Sequence, residues 1–277
     1  MANRITEILG IEKPIIQGPL AWLTNGRYAG SVSAAGGLGV LGVSAGQSTA
    51  ATTIEETVEN MRREIRNARE ITDKPIGLNV FPGAFENDPY TQPMLDLMVE
   101  EKVPVVVMVG QFSAEWVSRF HEKGIKVVFR AETPTVENTE EAIQGGADII
   151  VATGFDEGGT VGTAFMMSEE SILAQNIKEQ ALKSNASDLL LYRTVPAYYR
   201  SLPGEIPNKL LEMSQAGASE EEIYEVQRGY LGMRDGMLFG DLSKGFASFG
   251  LGISMIDKIE PVAVIMDKLM SGIEDLV

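Results

Sequence analysis

The sequence contains no cysteine and a single histidine, His121, among its 277 residues. Without cysteine the chain cannot form disulfides or thiolate metal sites, and it has no cysteine nucleophile. His121 lies in RFHEKG, near the expected end of a helix and among charged residues, a pattern typical of a surface helix. The sequence therefore favours neither a histidine-rich metal site nor histidine-based acid–base catalysis, and no metal-binding residue is predicted.

Basic residues are also scarce, with 23 Lys and Arg against 39 Asp and Glu and a formal net charge of −16. Nucleic acids and anionic membranes are bound through basic surfaces, so neither is an expected partner. No apolar stretch reaches the ~20 residues needed to span a bilayer. The start, MANRITEILG, also lacks the basic and then apolar pattern of a signal peptide. We therefore expect a cytoplasmic protein.

What the sequence does have is a regular alternation of apolar and amphipathic segments over its first 150 residues. The clearest helix follows Thr53, which has capping-box spacing with Glu56, and its apolar residues recur at steps of three and four. The segments predicted as strands are 15–20, 36–42, 76–81, 103–110, 125–131 and 147–154. Strands that alternate with helices predict a parallel α/β sheet, whose binding sites form at the carboxyl ends of the strands.

The alternation stops after Ser168. The remaining chain is predicted to be mostly helical, with helices over 169–183, 207–213, 220–230 and 261–275. We therefore divide the chain into a βα part, residues 1–167, and a helical C-terminal part, residues 168–277, packed on the first.

Several strand ends carry glycine or polar residues that are suited to ligand contacts. Gln17-Gly18-Pro19 would let backbone approach a ligand closely, and Asn79 could donate to one. Each feature alone is equally compatible with an ordinary turn. The stretch TGFDEGGT, residues 153–160, offers glycine amides for an anion, but its two adjacent carboxylates would oppose one. The glycines of GGLGVLG open a strand, so they favour helix capping by Gly36 over dinucleotide binding.

Four segments in order, IEKPIIQGPLAW, AAGGLGVLG, KPIGLNVF and GADIIVATGFDEGG, resemble the nitronate monooxygenase family, also called 2-nitropropane dioxygenases. Flavin-type enoyl-(acyl-carrier-protein) reductases are close relatives of that family. The resemblance covers residues 1–167 and continues more weakly at 168–170 and 240–256. It implies a TIM-barrel-derived α/β fold with FMN at the carboxyl ends of the strands. The implied contacts with the FMN ring are Gln17, Gly18, Pro19 and Asn79.

Three positions depart from the family pattern. Thr160 stands where the family has its base histidine, Thr153 replaces a glutamate, and Leu20 replaces a methionine. Threonine cannot act as a base near neutral pH, so proton abstraction at this position is lost and the catalytic residues stay unknown.

A larger departure joins two motifs that the family keeps apart. Gly158-Gly159-Thr160 runs directly into Val161-Gly162-Thr163, without the seventh strand, its flanking helices and most of the eighth strand. The resemblance therefore implies a broken barrel of about six strands. The FMN phosphate contacts that remain are Gly158, Gly159, Gly162 and Thr163.

The open strand edges of a broken barrel must be covered, either by the helical C-terminal part or by a partner subunit. We expect an open barrel in a homodimer rather than a closed six-stranded barrel, which would need a different tilt and shear.

Three functions stay open. The retained first-strand and third-strand motifs favour an FMN-dependent oxidoreductase of the nitronate monooxygenase type acting on a small molecule. The missing base and the reduced phosphate site favour a non-catalytic homodimeric binding or interaction protein. A flavin-type enoyl-(acyl-carrier-protein) reductase is the third alternative, with the same phosphate-site deficit.

Overall fold

A computed structural model of the chain describes residues 3–83, 88–152, 161–193 and 198–271. The chain forms two compact units. The sheet unit comprises Met1–Leu20, Thr24–Glu157 and Val262–Val277, and the second unit comprises Ala21–Leu23 and Gly158–Pro261.

The elements are numbered in chain order. The helices are α1 (Arg4–Leu9), α2 (Gly26–Ala34), α3 (Ile54–Arg69), α4 (Thr91–Glu100), α5 (Ala114–Glu122), α6 (Val136–Gln144), α7 (Val161–Met166), α8 (Gln175–Ala181), α9 (Glu205–Gln215), α10 (Glu220–Gln227), α11 (Gly229–Met233) and α12 (Val262–Met270). The strands are β1 (Ile16–Gln17), β2 (Leu38–Leu41), β3 (Ile76–Val80), β4 (Val105–Val109), β5 (Lys126–Arg130), β6 (Ile149–Ile150), β7 (Leu190–Arg193) and β8 (Tyr198–Ser201). Short 3₁₀ turns at Ala186–Asp188 and Leu251–Met255 and a π-helical turn at Arg234–Leu238 complete the set.

The sheet unit contains one six-stranded sheet in the order β1-β2-β3-β4-β5-β6. Every neighbouring pair is parallel, and a helix connects each strand to the next from β1 to β6. Consecutive parallel strands joined by helices are the repeating unit of a TIM barrel. The predicted α/β fold of barrel-derived βα units, with about six strands, is therefore confirmed.

The register gives the sheet two distinct faces, because successive side chains along a strand point to opposite sides. On the helix face, residues such as Leu78, Met108 and Phe129 pack against buried residues of α3, α4 and α5. On the inner face, Val40, Val107 and Val128 belong to a separate apolar cluster, which Leu9 and Ile11 join from the start of the chain. Both faces are therefore buried, as a parallel sheet requires.

Helix α3 begins as predicted, with the Thr53 hydroxyl accepting from the backbone N–H of Glu56 at 3.1 Å. Its predicted apolar face is also confirmed, since Met61, Ile65 and Ala68 are buried. Glu64, a charged residue that the sequence alone would place on the outer face of this helix, is only 5% exposed. One of its carboxylate oxygens accepts from the backbone N–H of Gly26 at 2.7 Å, so this acidic side chain caps the buried start of α2.

The second unit contains a hairpin that the sequence analysis does not predict. Strands β7 and β8 pair antiparallel, with Tyr192 opposite Tyr199. The buried ring of Tyr192 packs with Leu210 of α9 and Ile223 of α10. The residues after 168 are therefore not only helical, and the hairpin supplies part of the core of this unit.

The helix predicted over 169–183 is too long. Only Gln175–Ala181 is helical, as α8, and the residues before it follow a non-helical path. The buried ammonium group of Lys178 donates to the backbone oxygens of Ser168 at 2.6 Å and Ser171 at 2.8 Å. These bonds satisfy carbonyl groups that a continuous helix would have bonded internally.

The last described helix, α12, belongs to the sheet unit. Asp267 on this helix accepts from the ammonium group of Lys13 at 2.6 Å. Met266 packs over Gly37, where an added Cβ would lie 2.7 Å from the Met266 methyl group. Within the described ranges, no helix is long and apolar enough to cross a membrane.

Candidate functional site

The first predicted site segment lies at the end of β1, next to β2. Gln17 pairs in register with Gly39, whose Cβ position points at the backbone of α2, so Gln17 shares the helix face. Its amide nitrogen donates to the backbone oxygen of Gly18. The side chain is 3% exposed, and its amide oxygen is buried with no hydrogen-bond partner among the described residues. A buried acceptor of this kind is rare in folded proteins and indicates a place where a donor could bind.

Gly18 follows the last residue of β1 directly. An added Cβ at Gly18 would meet no atom within 4 Å in the described structure, so the backbone borders open space. Pro19 packs against the end of β2, where a Cβ on Gly42 would lie 2.9 Å from the Pro19 Cβ. The end of β1 therefore combines a fixed proline with a glycine that a flat ligand could approach closely.

Asn79 lies on the inner face near the end of β3, opposite Val107 in the register. It is 1% exposed, and its amide nitrogen donates to the Val107 backbone oxygen at 2.9 Å. A second contact of the same nitrogen, to the Val80 backbone oxygen, is longer at 3.5 Å. The strong bond to Val107 holds the amide in one orientation, so the side chain is positioned before any ligand arrives.

Register thus places the Gln17 and Asn79 side chains on opposite faces of the sheet. The two residues were predicted to contact one ring together. Gly18 lies beyond the last residue of β1, so the register assigns it to neither face, and the structure does not bring the side chains of Gln17 and Asn79 together.

Of the four predicted phosphate contacts, Gly158 and Gly159 lie outside the described residues, as do Thr153 and Thr160. Gly162 and Thr163 belong to α7 in the second unit, so they lie in a helix rather than in a glycine-rich loop. The Thr163 hydroxyl accepts from the backbone N–H of Gly250 at 3.0 Å. An added Cβ at Gly162 would meet no atom of the described residues within 4 Å.

His121 lies on α5 with a 39% exposed side chain, as predicted for a surface helix. Its Nε2 is 2.8 Å from a carboxylate oxygen of Asp148, which also accepts from the backbone N–H of Val127 at 2.8 Å. Asp148 precedes β6, so this group lies at the amino ends of the strands. Burial alone would raise the pKa of Asp148. The hydrogen bonds from Val127, His121 and Lys126 outweigh burial and hold this pKa below its usual value.

Sequence reasoning missed the residues that line a cleft at the carboxyl ends of β3, β4 and β5. The cleft has a volume of about 520 Å³ and includes Phe81, Phe112, Glu132 and Glu141 among its lining residues. Phe81 follows the end of β3 directly, and Phe112 and Glu132 lie three and two residues after the ends of β4 and β5, which is the signal that could have found them. Glu141 lies on α6, and its position depends on how that helix is placed.

Comparison with known proteins supports the predicted resemblance. The family model described as nitronate monooxygenase matches residues 2–162. A nitronate monooxygenase of Paraburkholderia phytofirmans is 33% identical over an alignment of 190 residues, which covers 55% of this chain and 48% of that protein. The chain spans about half the length of this protein and of a nitronate monooxygenase of Pseudomonas aeruginosa that it also matches.

Solved structures show the same fold. FabK from Thermotoga maritima aligns with a TM-score of 0.79 at 23% identity, covering 100% of this chain and 97% of that one. A nitroalkane oxidase from Streptomyces ansochromogenes aligns with a TM-score of 0.74 at 19% identity, covering 99% of this chain and 98% of that one. At these identities the likeness concerns the fold alone. Since the family match spans more than half of the sequence, the chain belongs to the nitronate monooxygenase family.

Proposed function

We propose that the chain is a flavin-dependent oxidoreductase that holds the ring of FMN over the inner face of its sheet, at the ends of β1 and β3. The observation that carries this proposal is the fixed, buried amide of Asn79 near the end of β3, on the inner face of the sheet that has the open backbone of Gly18 at the end of β1. FMN supplies a ring that accepts electrons or hydride, while the protein supplies its position and surroundings.

The residues at these strand ends fit a flat ring with polar edges. The amide nitrogen of Asn79 carries two hydrogens, and the strong bond to Val107 uses one of them. Gly18 leaves room where any side chain would stand in the way of the ring. The buried amide oxygen of Gln17 has no hydrogen-bond partner among the described residues, but its side chain lies on the helix face and does not belong to this ring site.

Fewer residues are available to bind the phosphate group of FMN than to bind its ring. The hydroxyl of Thr163 accepts from the backbone N–H of Gly250 within the second unit, so it can offer a phosphate one donated hydrogen bond but no preformed cradle. The remaining candidates are the backbone amides of Gly158 and Gly159. We therefore propose that FMN is held mainly through its ring and is lost more readily than from family members with a full eight-stranded barrel.

The proposed chemistry does not use a histidine base. His121 is engaged with Asp148 at the amino ends of the strands, and threonine occupies the position of the family base. We therefore propose a substrate that gives up electrons or hydride without proton removal by histidine.

Cofactor binding is tested with the purified full chain and its substituted forms. We expect an absorbance band at about 450 nm after FMN is added and the excess is removed. Gly18→Val should fold normally, because open space surrounds the Cβ position, and should weaken FMN binding by about tenfold or more. Asn208→Ala, on the exposed surface of α9, is the control that should leave binding unchanged. The proposal would be contradicted if the wild-type protein did not bind FMN, or if Gly18→Val bound FMN with the affinity of the wild type.

Activity is tested separately on the FMN-loaded chain. Oxygen uptake with a nitronate distinguishes the monooxygenase reaction from that of a flavin-type enoyl reductase, which would consume NAD(P)H with an enoyl thioester. A flavin-loaded chain that is inactive in both assays would favour a non-catalytic binding protein.

An apolar surface on α6 favours a homodimer as a second feature of the proposed function. Val136 and Ile143 on this helix are 75% and 63% exposed, and they lie two turns apart on one side of the helix. The neighbouring strand β6 is only two residues long and pairs only with β5 among the described strands. Light scattering after chromatography should give a dimer mass for the wild type and a monomer mass for the Val136→Lys, Ile143→Lys double variant.

A further inference from the structure

The cleft at the carboxyl ends of β3, β4 and β5, called here the β3–β5 cleft, has walls from three connecting segments. These are residues 81–83, 109–112 and 131–133, and α6 adds Asn138 and Glu141. Its volume of about 520 Å³ falls in the range of sites that take small organic molecules. In parallel α/β sheets, ligands bind at this edge.

The charge of the lining has one sign. Glu132 and Glu141 are the charged residues of the cleft, and no lysine, arginine or histidine is among its lining residues. Neither carboxylate forms an ion pair with a described residue. A concave surface of one charge concentrates its field and attracts ligands of the opposite charge.

Two aromatic rings form the apolar part of the cleft. Phe112 packs edge-on against Phe129, with ring centroids 5.1 Å apart and planes at 82°. It also lies over Gly145, where an added Cβ would come within 2.2 Å of the ring. Phe81 packs against the apolar cluster of the inner face. The Phe112 ring is therefore fixed on two sides, and the faces of such rings attract cations.

The position of Glu141 is fixed by the start of α6. Thr135 and Asn138 form a reciprocal capping box, with bonds of 2.9 and 3.2 Å. The amide nitrogen of Asn138 also donates to the Thr133 backbone oxygen at 2.9 Å, which ties the segment after β5 to the helix. Asn138 and Glu141 are three residues apart on one helix, so both side chains face the cleft. The carboxylate of Glu141 thus lies on a helix whose start is held by hydrogen bonds.

We propose that the β3–β5 cleft binds a small organic cation, an ammonium group with an apolar body. The ammonium group lies between Glu132 and Glu141, and the apolar body packs against Phe81 and Phe112. This inference concerns the ligand of the cleft alone and does not depend on FMN, because no residue of the proposed ring site lines the cleft.

The first experiment compares three probes of one size by calorimetry on the full chain, with and without added FMN. Benzyltrimethylammonium is the cation, benzyl alcohol the neutral probe and benzoate the anion. The cation should bind about tenfold or more tightly than benzoate, and its affinity should fall as salt is added. Equal affinity for the cation and benzoate, or no cation binding up to about 10 mM, would overturn the proposal.

The second experiment uses charge-removing variants and a matched control. Glu141→Gln and Glu132→Gln should each weaken cation binding by about five- to tenfold and leave benzyl alcohol binding unchanged. Glu140→Gln removes the same charge from the same helix at a residue outside the cleft, so it should bind like the wild type. An equal loss of cation binding in Glu140→Gln would show a general effect of net charge and would contradict a specific cation site in the cleft. All three glutamates are exposed, so the variants keep the fold, which thermal unfolding verifies.

Discussion

The two ends of the parallel strands are built differently. At the amino ends the charged groups are paired: Asp148 bonds to His121 and Lys126, and Lys74 pairs with Glu12 at 2.8 Å. At the carboxyl ends, Gly18 and Gly110 border open space and the carboxylates of the β3–β5 cleft have no described cationic partner. The amino ends thus satisfy their own polar groups, while the carboxyl ends leave them for a ligand. This division is the one found in TIM barrels, where stability and binding reside at opposite ends.

The largest expected effect comes from adding one methyl group within the packed part of the sheet. In Gly39→Ala the new Cβ would lie 2.0 Å from the backbone oxygen of Ala29, so α2 must move away from β2. We expect a loss of about 3 kcal/mol or more in the free energy of unfolding, measured with urea. Gly18→Ala, in open space, is the matched control and should change stability by less than about 0.5 kcal/mol. Equal losses of unfolding free energy in the two variants would show that the strand end at Gly18 is packed as tightly as the sheet at Gly39.

The next effect concerns the paired charges at the amino ends. Asp148→Asn keeps an acceptor for Val127 but loses the charge that faces His121 and Lys126. We expect a loss of about 1–2 kcal/mol in the free energy of unfolding near pH 7.

The pH dependence of that loss has a defined sign. The pKa of Asp148 is lower in the folded than in the unfolded chain, so its stabilisation is complete above the unfolded value of about 3.9. The stabilisation disappears as pH falls through the folded pKa. Wild type and Asp148→Asn should therefore converge in urea unfolding at strongly acidic pH, and a constant difference would contradict this assignment.

A smaller effect is expected at the end of β4. Gly110 has φ of +103°, and an added Cβ there meets no atom within 4 Å. Gly110→Ala therefore tests backbone strain without a clash, and we expect a loss of about 1 kcal/mol. The difference between Gly110→Ala and Gly18→Ala in thermal unfolding isolates the contribution of positive φ. Equal stability of the two variants would mean that an alanine at position 110 is accommodated without backbone strain.

Much of the sheet unit was predictable because local patterns and tertiary packing agree there. The apolar run of β4 indicates burial on both faces, and the side chain of Asn25 caps α2 as its residue type suggests, with a bond of 2.8 Å to Tyr28. The periodicity of α3 likewise locates its buried face.

The failures have a common physical cause, which is that they depend on pairing and register. The face on which Gln17 lies is set by its pairing with Gly39, a long-range relation that spacing along the chain does not reveal. Glu64 looks like a surface residue until α2 is placed beside it. The hairpin of β7 and β8 was missed because each strand is only four residues long, and the pairing between them is not visible in the local pattern.

The fold of α12 onto the sheet unit has a consequence for biosynthesis. The bond between Lys13 and Asp267 joins positions 254 residues apart, whereas the hairpin of the second unit pairs residues between 5 and 11 positions apart. Contacts between distant positions carry the largest loop-closure entropy and form late. During synthesis on the ribosome, the hairpin can therefore pair before α12 reaches the sheet unit. Until then, the surface at Gly37 that Met266 covers stays exposed.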